Sequence, residues 1–189
     1  MINKNYIPTE KEIAVYTGSH GAGKTALFYK HEVNEYWEEF GGKPTFIAET
    51  QRSLSEYYDI MHSNQEINLQ CNETILELLY TSIIKNDKII MDRCILDVLI
   101  YSYYFDNNYK YKCSKDGKKM LEWFIDNATF YIYEPQERFF KNKEKRMDFK
   151  SSLEIHKLFL DIDNVLSKIL GFDVKLKKEY DKVDVEDEE

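Results

Sequence analysis

A chain of 189 residues has room for one domain with a sizeable core and is too short for two domains of ordinary size. Its composition, 43% hydrophobic and 32% charged, is typical of a folded soluble protein and excludes a disordered one. The net charge of -8 argues against extended contact with nucleic acid, because proteins that bind duplexes carry a basic surface, although a local basic groove is compatible with it.

The cysteines and the N-terminus indicate a reducing compartment. Cys71, Cys94 and Cys113 are scattered without a C-x-x-C pair, so we expect neither a disulfide framework nor a zinc site. Residues 1–11 contain no apolar run of the secretory kind. The sequence contains no stretch of about eighteen consecutive apolar residues, so we expect no membrane span. We therefore expect a cytoplasmic protein that does not contact a membrane.

Short apolar runs alternate along the chain with segments whose apolar residues recur at helical spacing. The predicted strands are Glu12–Thr17, Thr45–Ala48, Lys88–Met91, Thr129–Tyr133 and Phe172–Leu176. The predicted helices are Gly23–Phe40, Ser53–Met61, Ile67–Lys85, Leu96–Phe105, Lys118–Asn127 and Leu153–Leu170, the last capped by Ser151 and Ser152 and ended by Gly171. Asp106–Gly117 is polar and is predicted to be a surface loop.

This alternation predicts an α/β fold with a parallel sheet that is covered by helices on both faces. We expect one domain over residues 1–180 and a charged, disordered tail over residues 181–189. Ligands of such sheets bind at the carboxyl ends of the strands, so the residues that follow each strand form the candidate site.

The octapeptide GSHGAGKT at residues 18–25 fits the pattern G-x-x-x-x-G-K-T, and it follows a strand and opens a helix, as a phosphate-binding loop requires. Its glycines allow successive N–H groups to face one anion, and the helix N-terminus adds partial positive charge. Lys24 is expected to reach the β and γ phosphates of ATP, and Thr25 to bind Mg²⁺. His20 is expected to point outward. The predicted nucleotide-binding residues are Gly18, Ser19, His20, Gly21, Ala22, Gly23, Lys24 and Thr25.

Asp92 and Arg93 follow the third strand. A carboxylate at this edge can hold Mg²⁺ directly or through water, so Asp92 is the second predicted metal ligand. Arg93 stands where many ATP-driven motors place a glutamate that activates water. An arginine here would hold an anionic acceptor or the transferring phosphoryl group, which favours transfer over hydrolysis. No N-K-x-D motif occurs, the nearest being NKEK at residues 142–145, which argues against a GTPase.

Other candidates lie on the acceptor side. Glu49 ends the second strand, where a carboxylate can take a proton from an acceptor hydroxyl or hold a sugar hydroxyl. Arg52 could bind an acceptor phosphate, and Gln70 could contact a base edge through its amide. The alternative for Glu49 and Arg52 is that both are simply polar residues after a strand.

Residues 134–150 form a basic segment after the fourth strand, on the phosphate side of the sheet. A flap with this charge would exclude water and neutralise charge that develops during transfer, and Arg138 and Arg146 are its best candidates. The alternative is a solvated basic loop.

Together, GSHGAGKT, AETQR, MDRCILDVLIYSYY and the basic segment resemble the P-loop kinases of nucleosides and nucleotides, in particular the branch with ribosylnicotinamide kinases and phage-type deoxynucleotide kinases. Thymidylate kinases share the Asp-Arg pair. The resemblance implies a three-layer fold with a five-stranded parallel sheet and a lid, ATP and Mg²⁺ as cofactors, and an acceptor pocket beside Glu49 and Asp92-Arg93. It also implies that Asp97 and Tyr101 face the acceptor, although an aromatic run such as Tyr101–Phe105 is usually core.

The sequence therefore predicts an ATP- and Mg²⁺-dependent phosphotransferase that acts on a small nucleotide or nucleoside. A deoxynucleoside monophosphate is the acceptor that it favours most. The alternatives are a ribosylnicotinamide or nucleoside kinase, a kinase of a polynucleotide end or a modified base in DNA, and an ATP-binding regulatory module without transfer. The acidic charge argues against the polynucleotide acceptor. The sequence does not specify the base or the sugar of the acceptor. It also leaves open whether the protein is a monomer or a homodimer.

Overall fold

The computed structural model describes residues 12–33, 37, 43–48, 88–140 and 147–181. The helices predicted at Ser53–Met61 and Ile67–Lys85 lie outside the described residues, as do residues 182–189 of the predicted tail.

Five parallel strands form one sheet in the order β2-β3-β1-β4-β5. The strands are β1 Glu12–Thr17, β2 Thr45–Ile47, β3 Lys88–Asp92, β4 Ala128–Tyr133 and β5 Lys177–Asp181. On β1, Tyr16 is in register with Asp92 of β3, and Thr17 with Ile132 of β4. The predicted five-stranded parallel sheet is confirmed, and the carboxyl ends of its three central strands lie side by side.

Helices cover both faces of the sheet. They are α1 Lys24–Glu32, α2 Ile95–Phe105, α3 Lys115–Asn127, α4 Phe149–Leu160 and α5 Ile162–Leu170, with a 3₁₀-helix at Glu137–Phe140. Side chains of a strand alternate between faces, so Ile13 and Val15 of β1 join one core with α2, α3, α4 and α5, whereas Tyr16 joins the other core with Phe28 of α1. The three-layer arrangement follows from this alternation.

The last strand is not where the hydropathy predicts it. Val174 and Leu176 are buried, but they precede β5, which runs through the charged segment KKEYD. β5 lies at the end of the strand order, and its ladder with β4 pairs Thr129 with Lys177 and Tyr133 with Asp181. A strand in this position has mostly exposed side chains, and charged residues suit it because they discourage pairing with another chain. Asp181 therefore belongs to the sheet and not to the tail.

Three helices also differ from the prediction. α3 begins at Lys115 and not at Lys118, because Ser114 caps it by accepting from the Gly117 N–H at 3.0 Å, so residues 115–117 do not belong to the predicted surface loop. The helix predicted at Leu153–Leu170 begins earlier, at Phe149, because the carboxylate of Asp148 caps it by accepting from the Ser151 N–H at 2.7 Å. It is interrupted at Asp161, which separates α4 from α5. Similarly, α1 ends at Glu32 and not near Phe40. In the described ranges, no helix combines the length and the hydropathy that a membrane span requires.

Candidate phosphate-binding and acceptor site

The loop between β1 and α1 has the backbone that its glycines predict. Gly18 has φ 123°, Gly21 has φ 68° and Gly23 has φ 75°. A Cβ at Gly18 would lie 2.6 Å from the carbonyl oxygen of Tyr133, so the loop can approach β4 only without a side chain there. At Gly21, a Cβ would overlap the ring of Phe140. The close fit against β4 and the 3₁₀-helix therefore requires both glycines.

A buried ammonium and a helix N-terminus meet in this loop. Lys24 is 4% exposed, and its Nζ donates to the carbonyl oxygens of Gly18 at 2.9 Å and Ser19 at 2.6 Å. Gly23 caps α1 without a side-chain hydrogen bond, and the first turn of α1 has no acidic residue. The Oγ of Ser19 is buried and has no hydrogen-bond partner among the residues that the structure describes. These donors and the helix dipole favour an anion at the loop.

Three contacts from other segments hold the loop. The N–H of Gln136 donates to the carbonyl oxygen of Gly21 at 2.8 Å, and the Oγ of Ser152 donates to that of His20 at 2.5 Å. The Phe140 ring lies against Gly21 and packs on Phe149 with ring centroids 5.3 Å apart. The segment after β4 and the start of α4 therefore determine the loop's position together.

The Asp-Arg pair lies beside the loop. Asp92 is the last residue of β3, is 2% exposed, and is in register with Tyr16, one residue before the end of β1. Arg93 has φ 65°, and within the described ranges it is the only residue other than glycine with a positive φ. Its N–H donates to the carbonyl oxygen of Tyr16 at 2.9 Å. A left-handed conformation costs a non-glycine residue about 1–2 kcal/mol, and such strain concentrates at functional sites.

The guanidinium of Arg93 joins the loop to α2. Its Nη2 lies 3.1 Å from Nδ1 of His20, and its Nη1 lies 3.9 Å from Oδ1 of Asp97. Tyr101 packs on the His20 ring with centroids 5.0 Å apart, and burial raises the pKa of Tyr101 to about 12. His20 was expected to point outward. That expectation is wrong, because its half-buried ring contacts both Arg93 and Tyr101.

Asp97 is placed beneath Arg93 and not in an open pocket. It is 2% exposed, and its Oδ2 accepts from the Cys94 N–H at 3.0 Å. Burial raises the pKa of Asp97, and the positive charges of Arg93 and Lys24 oppose that rise. Asp97 therefore supports the guanidinium of Arg93 through a buried ion pair, and its predicted place beside the acceptor stays a prediction. Tyr101, in turn, faces the phosphate loop.

The remaining predicted residues are placed as follows. Thr25 is half-buried in the first turn of α1. Arg138 is exposed in the 3₁₀-helix, with its guanidinium 5.0 Å from the centre of the Phe139 ring. Glu49, Arg52, Gln70 and Arg146 lie outside the described residues. Of the predicted lid, Gln136 and Phe140 contact the loop, Asp148 caps α4, and Phe149 and Lys150 are the first residues of that helix.

Sequence reasoning missed Gln136, Phe140 and Ser152. Ser152 lies 132 positions from His20 in the chain, and its sequence context predicts only a helix cap. Gln136 acts through its backbone N–H, which any residue except proline provides. No local pattern could have identified these contacts.

Comparison with known proteins gives a likeness in structure only. No family model and no curated protein matches the sequence. Thymidylate kinase from Ehrlichia chaffeensis is 15% identical, with a TM-score of 0.57 over 94% of this chain and 91% of that one. The YorR protein from Bacillus subtilis, in complex with phosphorylated GDP, is 14% identical, with a TM-score of 0.51 over 90% and 85%. The chain has the fold of the P-loop nucleotide kinases. NadR in complex with NR is 14% identical, with a TM-score of 0.50 over 99% of this chain and 49% of that one.

In this kinase fold the residues fit a nucleotide with magnesium. Mg²⁺ is usually held by one or two protein oxygens together with phosphate oxygens and water, and the Thr25 hydroxyl and the Asp92 carboxylate are oxygens of that kind. Both residues belong to the segments that meet at the carboxyl ends of β1 and β3. Within the described ranges, no three His, Cys, Asp or Glu side chains form a metal cluster of their own.

Proposed function

We propose that this protein is an ATP- and Mg²⁺-dependent phosphotransferase with a small nucleoside or nucleotide acceptor. Among these acceptors, we propose a deoxynucleoside monophosphate as the preferred one. The observation that carries the proposal is the position of Arg93, whose guanidinium lies 3.1 Å from a residue of the phosphate loop. A cation held there at the cost of backbone strain suits a phosphoryl group that moves between a donor in the loop and an acceptor beside it.

Each residue of the site has a proposed part in that transfer. Lys24 binds the β and γ phosphates and stabilises the charge that develops on the transferring oxygens. Thr25 and Asp92 hold Mg²⁺, which when bound neutralises phosphate charge. Arg93 orients the acceptor or the transferring group.

The residues assigned from the sequence alone complete the proposal. Glu49 takes the acceptor proton or holds its sugar, and Arg52 and Gln70 contact the acceptor. Arg138 and Arg146 belong to the lid and neutralise phosphate charge when it closes. Gln136 and Phe140 of this segment already contact the loop, which supports a place for the segment beside a bound nucleotide.

Two alternatives make different predictions about the acceptor. A ribosylnicotinamide or nucleoside kinase phosphorylates a sugar hydroxyl, so it needs no acceptor phosphate. A regulatory module without transfer binds ATP and leaves it intact. The polynucleotide acceptor is less favoured because of the net charge of -8.

The test is a panel of nucleosides and deoxynucleoside and ribonucleoside monophosphates, screened for thermal stabilisation with a non-hydrolysable ATP analogue and then for transfer from ATP. We expect the largest stabilisation and the fastest transfer with a deoxynucleoside monophosphate. Transfer to ribosylnicotinamide or nucleosides alone would select the first alternative, and binding of ATP without transfer to any acceptor would contradict the proposal.

Lys24→Ala tests the proposed part of Lys24 in transfer. It should reduce transfer by at least about a hundredfold, because a donor aimed at developing charge typically contributes that much. Lys30→Ala is the control, since Lys30 is an exposed lysine of the same helix. Equal turnover of the two variants would remove Lys24 from the proposed mechanism.

A further inference from the structure

His20 connects the phosphate loop to the acceptor side. It is the third residue of the loop, and its Nδ1 lies 3.1 Å from Nη2 of Arg93. A guanidinium can only donate hydrogen bonds, so Nδ1 must accept and the imidazole must be neutral, with its proton on Nε2. The ring also packs on Tyr101 at 5.0 Å with an interplanar angle of 57°. The contact with Arg93 therefore requires one tautomer and one orientation of the ring.

The backbone around His20 belongs to the phosphate loop itself. Its carbonyl oxygen accepts from Ser152 Oγ at 2.5 Å, and the next carbonyl oxygen, that of Gly21, accepts from the Gln136 N–H at 2.8 Å. A phosphate that binds the loop N–H groups acts on this same stretch of backbone. A shift of this stretch moves the imidazole of His20, and with it the nitrogen that accepts a hydrogen bond from Arg93.

The other side of Arg93 is fixed. Asp97 lies 3.9 Å from Nη1, is buried, and is held by the Cys94 N–H at 3.0 Å as part of the cap of α2. The guanidinium of Arg93 thus lies between the carboxylate of Asp97, which belongs to α2, and the imidazole nitrogen of His20, which belongs to the loop. Of these two partners, only His20 is a residue of the phosphate loop, so only His20 moves with the loop backbone.

We propose that His20 is a positioning residue that couples the two halves of the site, so that filling of the phosphate loop sets the direction in which Arg93 meets the acceptor. The inference rests on the proposed function and adds an order to it, in which the donor nucleotide organises the acceptor site. Because coupling between two ligands is reciprocal, the acceptor then also strengthens nucleotide binding.

Two substitutions separate the hydrogen bond from the packing. His20→Phe keeps a ring against Tyr101 and removes Nδ1, whereas His20→Asn keeps an acceptor at nearly the same distance from the backbone. We expect His20→Phe to raise the KM for the acceptor about tenfold, in line with a lost hydrogen bond to a charged group. His20→Asn should restore most of the KM. In an Arg93→Ala background His20→Phe should change nothing further, and independent, additive effects would overturn the proposal.

A second readout does not depend on transfer. The guanidinium ¹⁵N resonances of Arg93, assigned by their loss in Arg93→Lys, are followed while Mg·ADP is added. ADP has no γ-phosphate that Arg93 could contact directly. The resonances should shift in the wild type and in His20→Asn, and stay in place in His20→Phe. If the wild type phosphorylates no acceptor while the shift persists, the proposed function fails and the coupling stands. An equal shift in His20→Phe rejects the coupling, whatever the transfer assay shows.

Discussion

At the scale of single residues, the site is defined by conformations that cost free energy. Arg93 has φ 65° without being glycine, and Lys24 is a buried cation that donates to two loop carbonyl oxygens. A contribution to the core explains neither arrangement. A glycine at position 93 would relieve the backbone strain, and an apolar residue at position 24 would avoid the cost of burying a charge. Both arrangements are what the proposed phosphotransferase site requires.

The strain at Arg93 can be measured by comparing Arg93→Gly with Arg93→Ala. Both variants remove the guanidinium and its contacts with His20 and Asp97. Only glycine relieves the left-handed backbone, and it loses part of that gain to the greater freedom of the unfolded chain. We expect Arg93→Gly to be more stable than Arg93→Ala by about 0.5–1 kcal/mol in urea unfolding. Greater stability of the alanine variant would mean that residue 93 is not strained.

A second prediction at this scale concerns pH. Burial lowers the pKa of His31, and the charge of Lys30 lowers it further, while Tyr16 Oη lies 2.6 Å from its Nδ1. Because the folded pKa lies below the unfolded value of about 6.5, protonation favours the unfolded state, and stability is lost as the pH falls through and below about 6.5. His31→Asn keeps an acceptor for Tyr16 and cannot titrate.

The measurement is the melting temperature from about pH 7.5 down to pH 5.5, the interval in which a histidine changes its charge. It should fall more steeply in the wild type than in His31→Asn. His156→Gln tests a second histidine in the same way, since burial also lowers the pKa of His156. Parallel curves for the wild type and His31→Asn would exclude His31 as a source of the pH dependence.

At the scale of elements, the short segments decide the site. The 3₁₀-helix Glu137–Phe140 places Phe140 against Gly21, and α4 presents Ser152 to the loop. β5 completes the sheet with charged, exposed residues. Neither the 3₁₀-helix nor β5 has an apolar pattern that predicts it, whereas the apolar spacing of α4 predicts a helix but not the contact of Ser152 with the loop.

Gly21→Ala tests the contact with the 3₁₀-helix. A Cβ at Gly21 overlaps the Phe140 ring and also sits on a backbone with φ 68°. We expect a loss of about 1–3 kcal/mol in the free energy of unfolding, from both the strain and the overpacking. In a Phe140→Ala background the same substitution should cost less, because only the backbone strain remains. Costs that simply add, measured by urea unfolding of the four proteins, would show that the ring and the loop do not touch.

Truncation tests β5. A chain that ends at Asp181 keeps the whole ladder with β4 and should retain the melting temperature of the full chain, because residues 182–189 are almost all charged and can bury little. A chain that ends at Leu176 loses the ladder and the 2.6 Å ion pair of Lys178 with Asp163, and it should melt lower by more than about 5 °C. Equal melting temperatures of the two truncated chains would contradict the role of β5.

At the scale of the whole molecule, the site is assembled from segments that are far apart in the chain. Residues 18–25 supply the phosphate loop, residues 92–101 supply the Asp-Arg pair with its support, and residues 136–140 together with Ser152 hold the loop in place. They meet because the parallel strands β1, β3 and β4 end at the same edge of the sheet. The position of the site therefore follows from topology, and its chemistry follows from the residues after each strand.

The sequence by itself determined four of the five strands of the sheet, the phosphate loop and the Asp-Arg pair. These features are local: apolar strands, a glycine pattern between a strand and a helix, and polar residues just after a strand are all visible within a few residues. Only the tertiary structure decided the role of His20, the burial of Asp97 beneath Arg93, the contact of Phe140 with Gly21, and the place of β5 in a charged segment. Each of these depends on contacts between distant segments or on backbone hydrogen bonds at the edge of a sheet, and neither leaves a periodic pattern in the chain.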